Sequence, residues 1–237
     1  MNSFVLKMIG LLSMMIDHAG KLLFANEAWM MCLGRLAFPI FAYQTAMGYE
    51  KTRDLRQYAI RLAVFAMVSQ VPYAIMGIMM GQNGMGLNIG FTLLFSVMAL
   101  YCYDKMGGIG GAIMAGVVCM MAELMRVDYG AYGVVVTMIF SWLIKLTKDA
   151  GESGGWLIWQ GAMVSAVFVL VTLCKYLPGM LSDEYGEVYG WNVVWTIVGL
   201  LVVLAHDGRR GPKCRYLFYV FYPVHMLVLC LIAVSTR

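Results

Sequence analysis

Charge is what this sequence has least of. Only 13% of its 237 residues are Asp, Glu, Lys or Arg, while 62% are hydrophobic. Soluble domains carry about a quarter charged residues, so this balance excludes an ordinary water-exposed fold and points to lipid as the solvent. No polar stretch approaches the length of a domain, which excludes a separate soluble module. The six cysteines lie scattered in apolar runs without CxxC or metal-ligand spacing, so they read as small packing residues and no metal is expected. Low-complexity linkers and internal duplications, the latter common in transporters, are also absent. The N-terminal apolar run is interrupted by Asp17 and His18, with no small-x-small cleavage site after it. It is expected to stay as a first membrane helix rather than be removed as a signal peptide.

What is present is a succession of apolar runs. A bilayer-spanning helix needs about 20 mostly apolar residues. The runs predict an all-α bundle of about nine transmembrane helices forming one polytopic domain over 1–237. The spans fall near 4–25, 29–49, 58–80, 87–103, 109–125, 130–146, 156–177, 191–205 and 216–234. Turn-like glycine segments separate them: GQNGMG at 81–86, GGIGG at 107–111, GESGG at 151–155 and GRRGP at 208–212.

Basic residues orient such a bundle, because cytoplasmic loops are enriched in Lys and Arg. With the N-terminus inside, the cytoplasmic segments hold Lys7, Lys51, Arg53, Arg56, Arg61, Lys105, Lys145, Lys148, Arg209, Arg210, Lys213 and Arg215. The opposite side holds Lys21, Arg126, Lys175 and Arg237, together with the acidic loop Asp183, Glu184 and Glu187. Twelve against four predicts a cytoplasmic N-terminus and, with nine spans, a C-terminus outside. The clusters at 51–61 and 209–215 read first as topology signals and second as phosphate sites.

Arg35 belongs to neither side. A charge near the bilayer centre costs about 2.5–3.5 kcal/mol on insertion scales, so such residues are paired, face a cavity, or work. Asp17 and His18 in the first helix, Arg35 in the second and His225 in the last are the candidates. Asn88, Glu123 and Asp128 stand at helix ends on the outer side. By the predicted spans all of them share a depth between mid-membrane and the outer leaflet, as one polar cavity requires. Structural readings stand beside this. Asp17 can pair with Lys21 one turn on, or with Arg35. His18 and His225 can be hydrogen-bonded packing residues. Arg35 never deprotonates and needs a permanent acidic or oxygen-rich partner. The 22 methionines read as flexible packing rather than ligands.

Six segments, in this order, carry a resemblance: MIDH at 15–18, GRLAFPIFA at 34–42, SQVPY at 69–73, NIGFTL at 88–93, DYGAYGV at 128–134 and FYPVHMLVL at 221–229. The chain resembles the TraX family of membrane proteins, known for N-terminal acetylation of F-type pilin, and more distantly the integral-membrane acyltransferases. The segment from 140 to 215 matches only loosely. The resemblance implies acetyl transfer within the bacterial cytoplasmic (inner) membrane, with acetyl-CoA as donor. The acceptor would be a pilin N-terminus, a glycan or another envelope group, and an oligomer is compatible with it. No nucleic acid is expected as partner. The family's motif positions fall on Asp17, His18, Gly34, Arg35, Phe38, Pro39, Asn88, Asp128, Tyr129, Gly130 and His225.

Acyl transfer from a thioester needs a base at the acceptor and donors at the developing oxyanion. His18 suits the base, or a transient acyl carrier, held in its tautomer by Asp17 or Asp128. Arg35 would stabilise the oxyanion or hold a carboxylate in place. His225 would be a second acid/base or a donor to the thioester carbonyl. Asn88, Tyr129 and Glu123 are expected on the acceptor side. The phosphates of acetyl-CoA would suit Lys51, Arg53, Arg56 and Arg61, or Arg209, Arg210, Lys213 and Arg215. Two other classes remain open: a proton-coupled transporter using the Asp/His/Arg cluster, and a non-catalytic membrane subunit packed by an ion pair.

Overall fold

The computed structural model describes residues 1–24, 27–82, 86–149, 154–209, 211–212 and 216–236. Among them are ten helices: α1 (Ser3–Leu23), α2 (Ala28–Gly34), α3 (Ala37–Lys51), α4 (Leu55–Met79), α5 (Ile89–Met106), α6 (Gly108–Leu124), α7 (Gly130–Asp149), α8 (Gly154–Met180), α9 (Gly186–Leu204) and α10 (Leu217–Ser235). Seven are long and apolar enough to cross a membrane, and α6 is a shorter apolar helix of the same character. The remaining predicted span, 29–49, is two helices rather than one. Pro39 has no N–H to give the Arg35 carbonyl, so the ladder of α2 cannot run on. Instead the Arg35 and Leu36 N–H groups turn back to Cys32 and Leu33 at 3.0 and 3.2 Å. Proline then sits in the first turn of α3, where its missing N–H would have no partner in any case. The nine predicted spans are thus all present as helix.

Exposed faces are apolar, as lipid demands. On α4 the exposed Val64, Met67, Val68, Val71, Ile75 and Ile78 recur at helical spacing. On α10 the exposed stripe is Val220, Val224, Leu227, Val228 and Leu231, and His225 lies on the buried side with Tyr222, Met226 and Leu229.

The helices fall into two compact units. The first comprises Met1–Phe41, Met67–Met85 and Tyr176–Arg237. In it α1 packs against α2 and α10, and α2 against α9. Glycines permit the closest approaches: a Cβ on Gly34 would overlap the Asp17 side chain, and one on Gly199 would meet Leu36 O and Pro39 Cγ at 3.0 Å. The N-terminus is clasped to the segment before α10. Its ammonium donates to Ala205 O at 3.0 Å, and Ser3 N donates to Arg209 O at 2.8 Å. Met1 and residues 205–209 therefore lie together at one end of this unit.

The second unit comprises Ala42–Ala66 and Gly86–Lys175. Here α5, α6 and α7 pack on one another around Phe95, Ala99, Ala115, Val118, Ala122, Val127 and Val134. A single parallel bridge, Leu87 to Val127, ties the entry of α5 to the turn before α7.

Candidate active site

The first unit gathers Asp17, His18, Lys21, Arg35 and His225. Helical spacing puts Asp17, His18 and Met14 on the buried side of α1, and Lys21 one turn beyond Asp17. Gly34 brings α2 against Asp17, and the helix break behind it sets Arg35 beside the same carboxylate. Asp17, His18 and His225 are each less than a tenth exposed.

Asp17 is surrounded by bases. Lys21 Nζ donates to Oδ2 at 2.5 Å, Arg35 Nη2 stands 3.5 Å from Oδ1, and His18 Nε2 is 3.9 Å from Oδ2. A carboxylate in so little water stays ionised only with such company. Its Oδ1 accepts no hydrogen bond among the described residues, nor does the buried Ser69 Oγ on α4 have a partner there.

The two histidines meet across α1 and α10. His18 Nδ1 lies 2.7 Å from His225 Nε2, and His225 Nδ1 donates to Phe221 O at 2.8 Å. The imidazoles are parallel within 3° with centroids 5.0 Å apart. Phe221 stacks on His225, also at 5.0 Å, and Tyr222 meets His225 at 59°. The hydrogen-bond partner of His18 Nδ1 is thus a histidine. Both nitrogens of His225 are engaged by protein.

Asn88, Glu123, Asp128 and Tyr129 lie in the second unit. Asn88 caps α5, accepting from Gly90 N at 2.8 Å and donating to Ala66 O at 2.7 Å. Glu123 accepts from Ala131 N at 2.9 Å beside Gly130, whose φ of +53° favours glycine. Asp128 is held by its backbone: its N–H donates to Leu87 O at 2.8 Å, and its carbonyl accepts from Thr92 Oγ. Tyr129 stacks on Tyr132 with centroids 6.3 Å apart.

Of the basic candidates, Lys51, Arg53, Arg56 and Arg209 are exposed. Arg61 lies over the Tyr58 ring, 5.9 Å from its centroid. Arg210, Lys213 and Arg215 fall outside the described residues. Beside Arg209, Asp207 accepts from the Arg209 N–H at 3.0 Å and pairs with the terminal ammonium at 3.4 Å. Those contacts, the Arg209 N–H first, hold its carboxyl below the ordinary aspartate range.

Sequence reasoning passed over a second ionic cluster. In the second unit Lys145 Nζ donates to Asp104 Oδ1 at 2.6 Å and stands 3.6 Å from Glu50 Oε1. Ser141 Oγ donates to Glu50 at 2.6 Å and Tyr49 OH to Asp104 at 2.9 Å. The missing signal is periodicity: each charge sits near a helix end, where charged residues are ordinary.

The family model described as "TraX protein" matches residues 3–233. A probable fimbrial assembly protein FimC, serogroup H1, of Dichelobacter nodosus is 25% identical, covering 97% of this chain and 94% of its own length. A Protein TraX of Escherichia coli is 24% identical, covering 97% of this chain and 86% of its own. A second, from strain K12, is 27% identical over 57% of this chain and 53% of its own. No solved structure matches. A multi-pass helical membrane protein that follows the family model from its first helix to its last, this chain belongs to the TraX family.

Proposed function

We propose that this chain is a membrane-embedded acetyltransferase of the bacterial cytoplasmic membrane. It would carry an acetyl group from cytosolic acetyl-CoA to an amine or hydroxyl at the outer face. The observation that carries this reading is the buried cluster of Asp17, His18, Lys21, Arg35 and His225, in a family linked to pilin acetylation. Charged groups are held inside a bilayer only where pairing or function repays the cost, and an imidazole beside paired charges suits acyl transfer.

In this reading His18 removes the acceptor's proton as the acceptor attacks the thioester carbonyl. The carbon–sulfur bond then breaks, and the departing thiolate of CoA takes that proton back. Arg35 and Lys21 supply positive charge near the developing oxyanion while Asp17 fixes both side chains. Asn88, Tyr129 and Glu123 remain candidates for the acceptor side, and Asp128 remains a candidate catalytic carboxylate. Either Lys51, Arg53, Arg56 and Arg61 in the second unit, or Arg209 with its basic neighbours in the first, would receive the phosphates of CoA. The relative named for fimbrial assembly makes a pilin N-terminus a natural first acceptor to try, with an envelope glycan second.

The test is made in proteoliposomes. Acetyl-CoA with a peptide amine should give acetylated peptide and one free CoA per acetyl transferred. Failure to transfer acetyl, together with solute flux driven by a proton gradient, would replace the enzyme with a transporter.

A further inference from the structure

We infer that His225 is a positioning residue: it holds His18 in the tautomer whose bare nitrogen is Nε2, and it takes the Nδ1 proton of His18 when Nε2 receives the acceptor's proton. The inference deepens the acetyl-transfer reading and rests on it for the second half.

The argument starts at Phe221. A carbonyl oxygen has no hydrogen to give, so at 2.8 Å His225 Nδ1 must carry one. A neutral imidazole has a single N–H, which leaves His225 Nε2 as a lone pair. His18 Nδ1 lies 2.7 Å from that lone pair, so it must carry the hydrogen of their bond. His18 Nε2 is then bare. Asp17 Oδ2, 3.9 Å away, is a carboxylate oxygen with no hydrogen to give that lone pair. The charged groups around the pair are Asp17 and Lys21 on α1 and Arg35 after α2. A resting imidazolium would add a further cation beside Lys21 and Arg35 in a dry place, which favours the neutral pair.

Ring geometry keeps this arrangement in place. The two imidazoles lie nearly in one plane, joined end to end through the 2.7 Å contact, and Phe221 stacks on His225 with centroids 5.0 Å apart, so turning either imidazole breaks their hydrogen bond. During reaction the acceptor's proton goes to His18 Nε2, and the proton on His18 Nδ1 shifts to His225 Nε2. When the carbon–sulfur bond breaks, His225 returns its proton to His18 Nδ1 and Nε2 gives its own to the thiolate. No proton or electron is left over. The positive charge spends the intermediate one imidazole away from the reacting carbon.

Only three histidines are present, which makes the tautomers readable in protein labelled with ¹⁵N-histidine. His206 is the internal contrast: Nδ1 accepts from Gly208 N at 3.0 Å, so Nε2–H donates to Ser3 Oγ at 2.8 Å. The expected spectrum has Nδ1–H on His18 and His225 and Nε2–H on His206. His225→Leu removes the acceptor for His18 Nδ1, and acetyl transfer should fall about 10²–10⁴-fold with an unchanged KM for acetyl-CoA. His225→Gln can accept that hydrogen but cannot carry a proton. It should preserve the His18 tautomer and lose only about 10-fold. Nε2–H on His18 in the active wild-type protein, or equal loss in the two variants, would overturn the inference. The spectrum is read with or without acetyl transfer. Both Nδ1–H signals in a protein that transfers no acetyl would overturn the reaction and leave the orienting pair standing.

Discussion

Lys21 Nζ stands 2.5 Å from Asp17 Oδ2, one helical turn along α1 and closer than either other base around that carboxylate. Removing one partner of a buried pair leaves the other uncompensated. With Lys21 about a quarter exposed, Lys21→Met should cost about 2–3 kcal/mol in thermal unfolding in detergent, below the range for a fully buried pair. Lys21→Met with Asp17→Asn should recover no stability, because Arg35 then loses its carboxylate, and should show no activity. Wild-type stability in Lys21→Met alone would show that the contact is incidental.

Gly34 offers a steric test of the same corner. Its missing Cβ is what lets α2 lie on Asp17. Gly34→Ala should destabilise the protein by about 1–3 kcal/mol through overpacking, while Gly116→Ala, on an open part of α6, should leave the melting temperature unchanged or slightly higher.

The Glu50–Asp104–Lys145 cluster should stabilise the second unit without serving the chemistry. Lys145→Met leaves two carboxylates without their common cation and should lower stability by about 1–3 kcal/mol, since the side chains of Lys145 and Asp104 are about a third exposed. The KM for acetyl-CoA should not change. A large rise in KM would move this lysine into the donor site.

If the exposed basic residues receive CoA phosphates, neutralising Lys51, Arg53 and Arg56 together should raise the KM for acetyl-CoA about 10-fold and leave kcat alone. The effect should shrink as salt is raised, because screening already weakens exposed charge pairs. No change in KM would remove this cluster from the donor side.

The helices were legible because lipid imposes one length and one composition on every span. The break at Arg35–Leu36 was half legible. Pro39 signals it, but which residue turns depends on carbonyls no pattern displays. Buried charge drew attention to Asp17, His18, Arg35 and His225, since each is costly in an apolar run. Their geometry was not legible: His18 and His225 are 207 positions apart, and nothing local says that two imidazoles meet or that Phe221 sets their protons. Asn88 and Glu123 stood out for the same polarity. Capping α5 and receiving the N–H of Ala131 become apparent only once the turns are in place.

The most direct test of the account is CoA release by purified protein in liposomes, supplied with acetyl-CoA and a peptide amine, compared between wild type and His18→Ala. Stoichiometric CoA and acetyl-peptide from the wild type, falling at least about 100-fold in a His18→Ala protein that melts at the same temperature, is the predicted result. Equal release by the two proteins would contradict it.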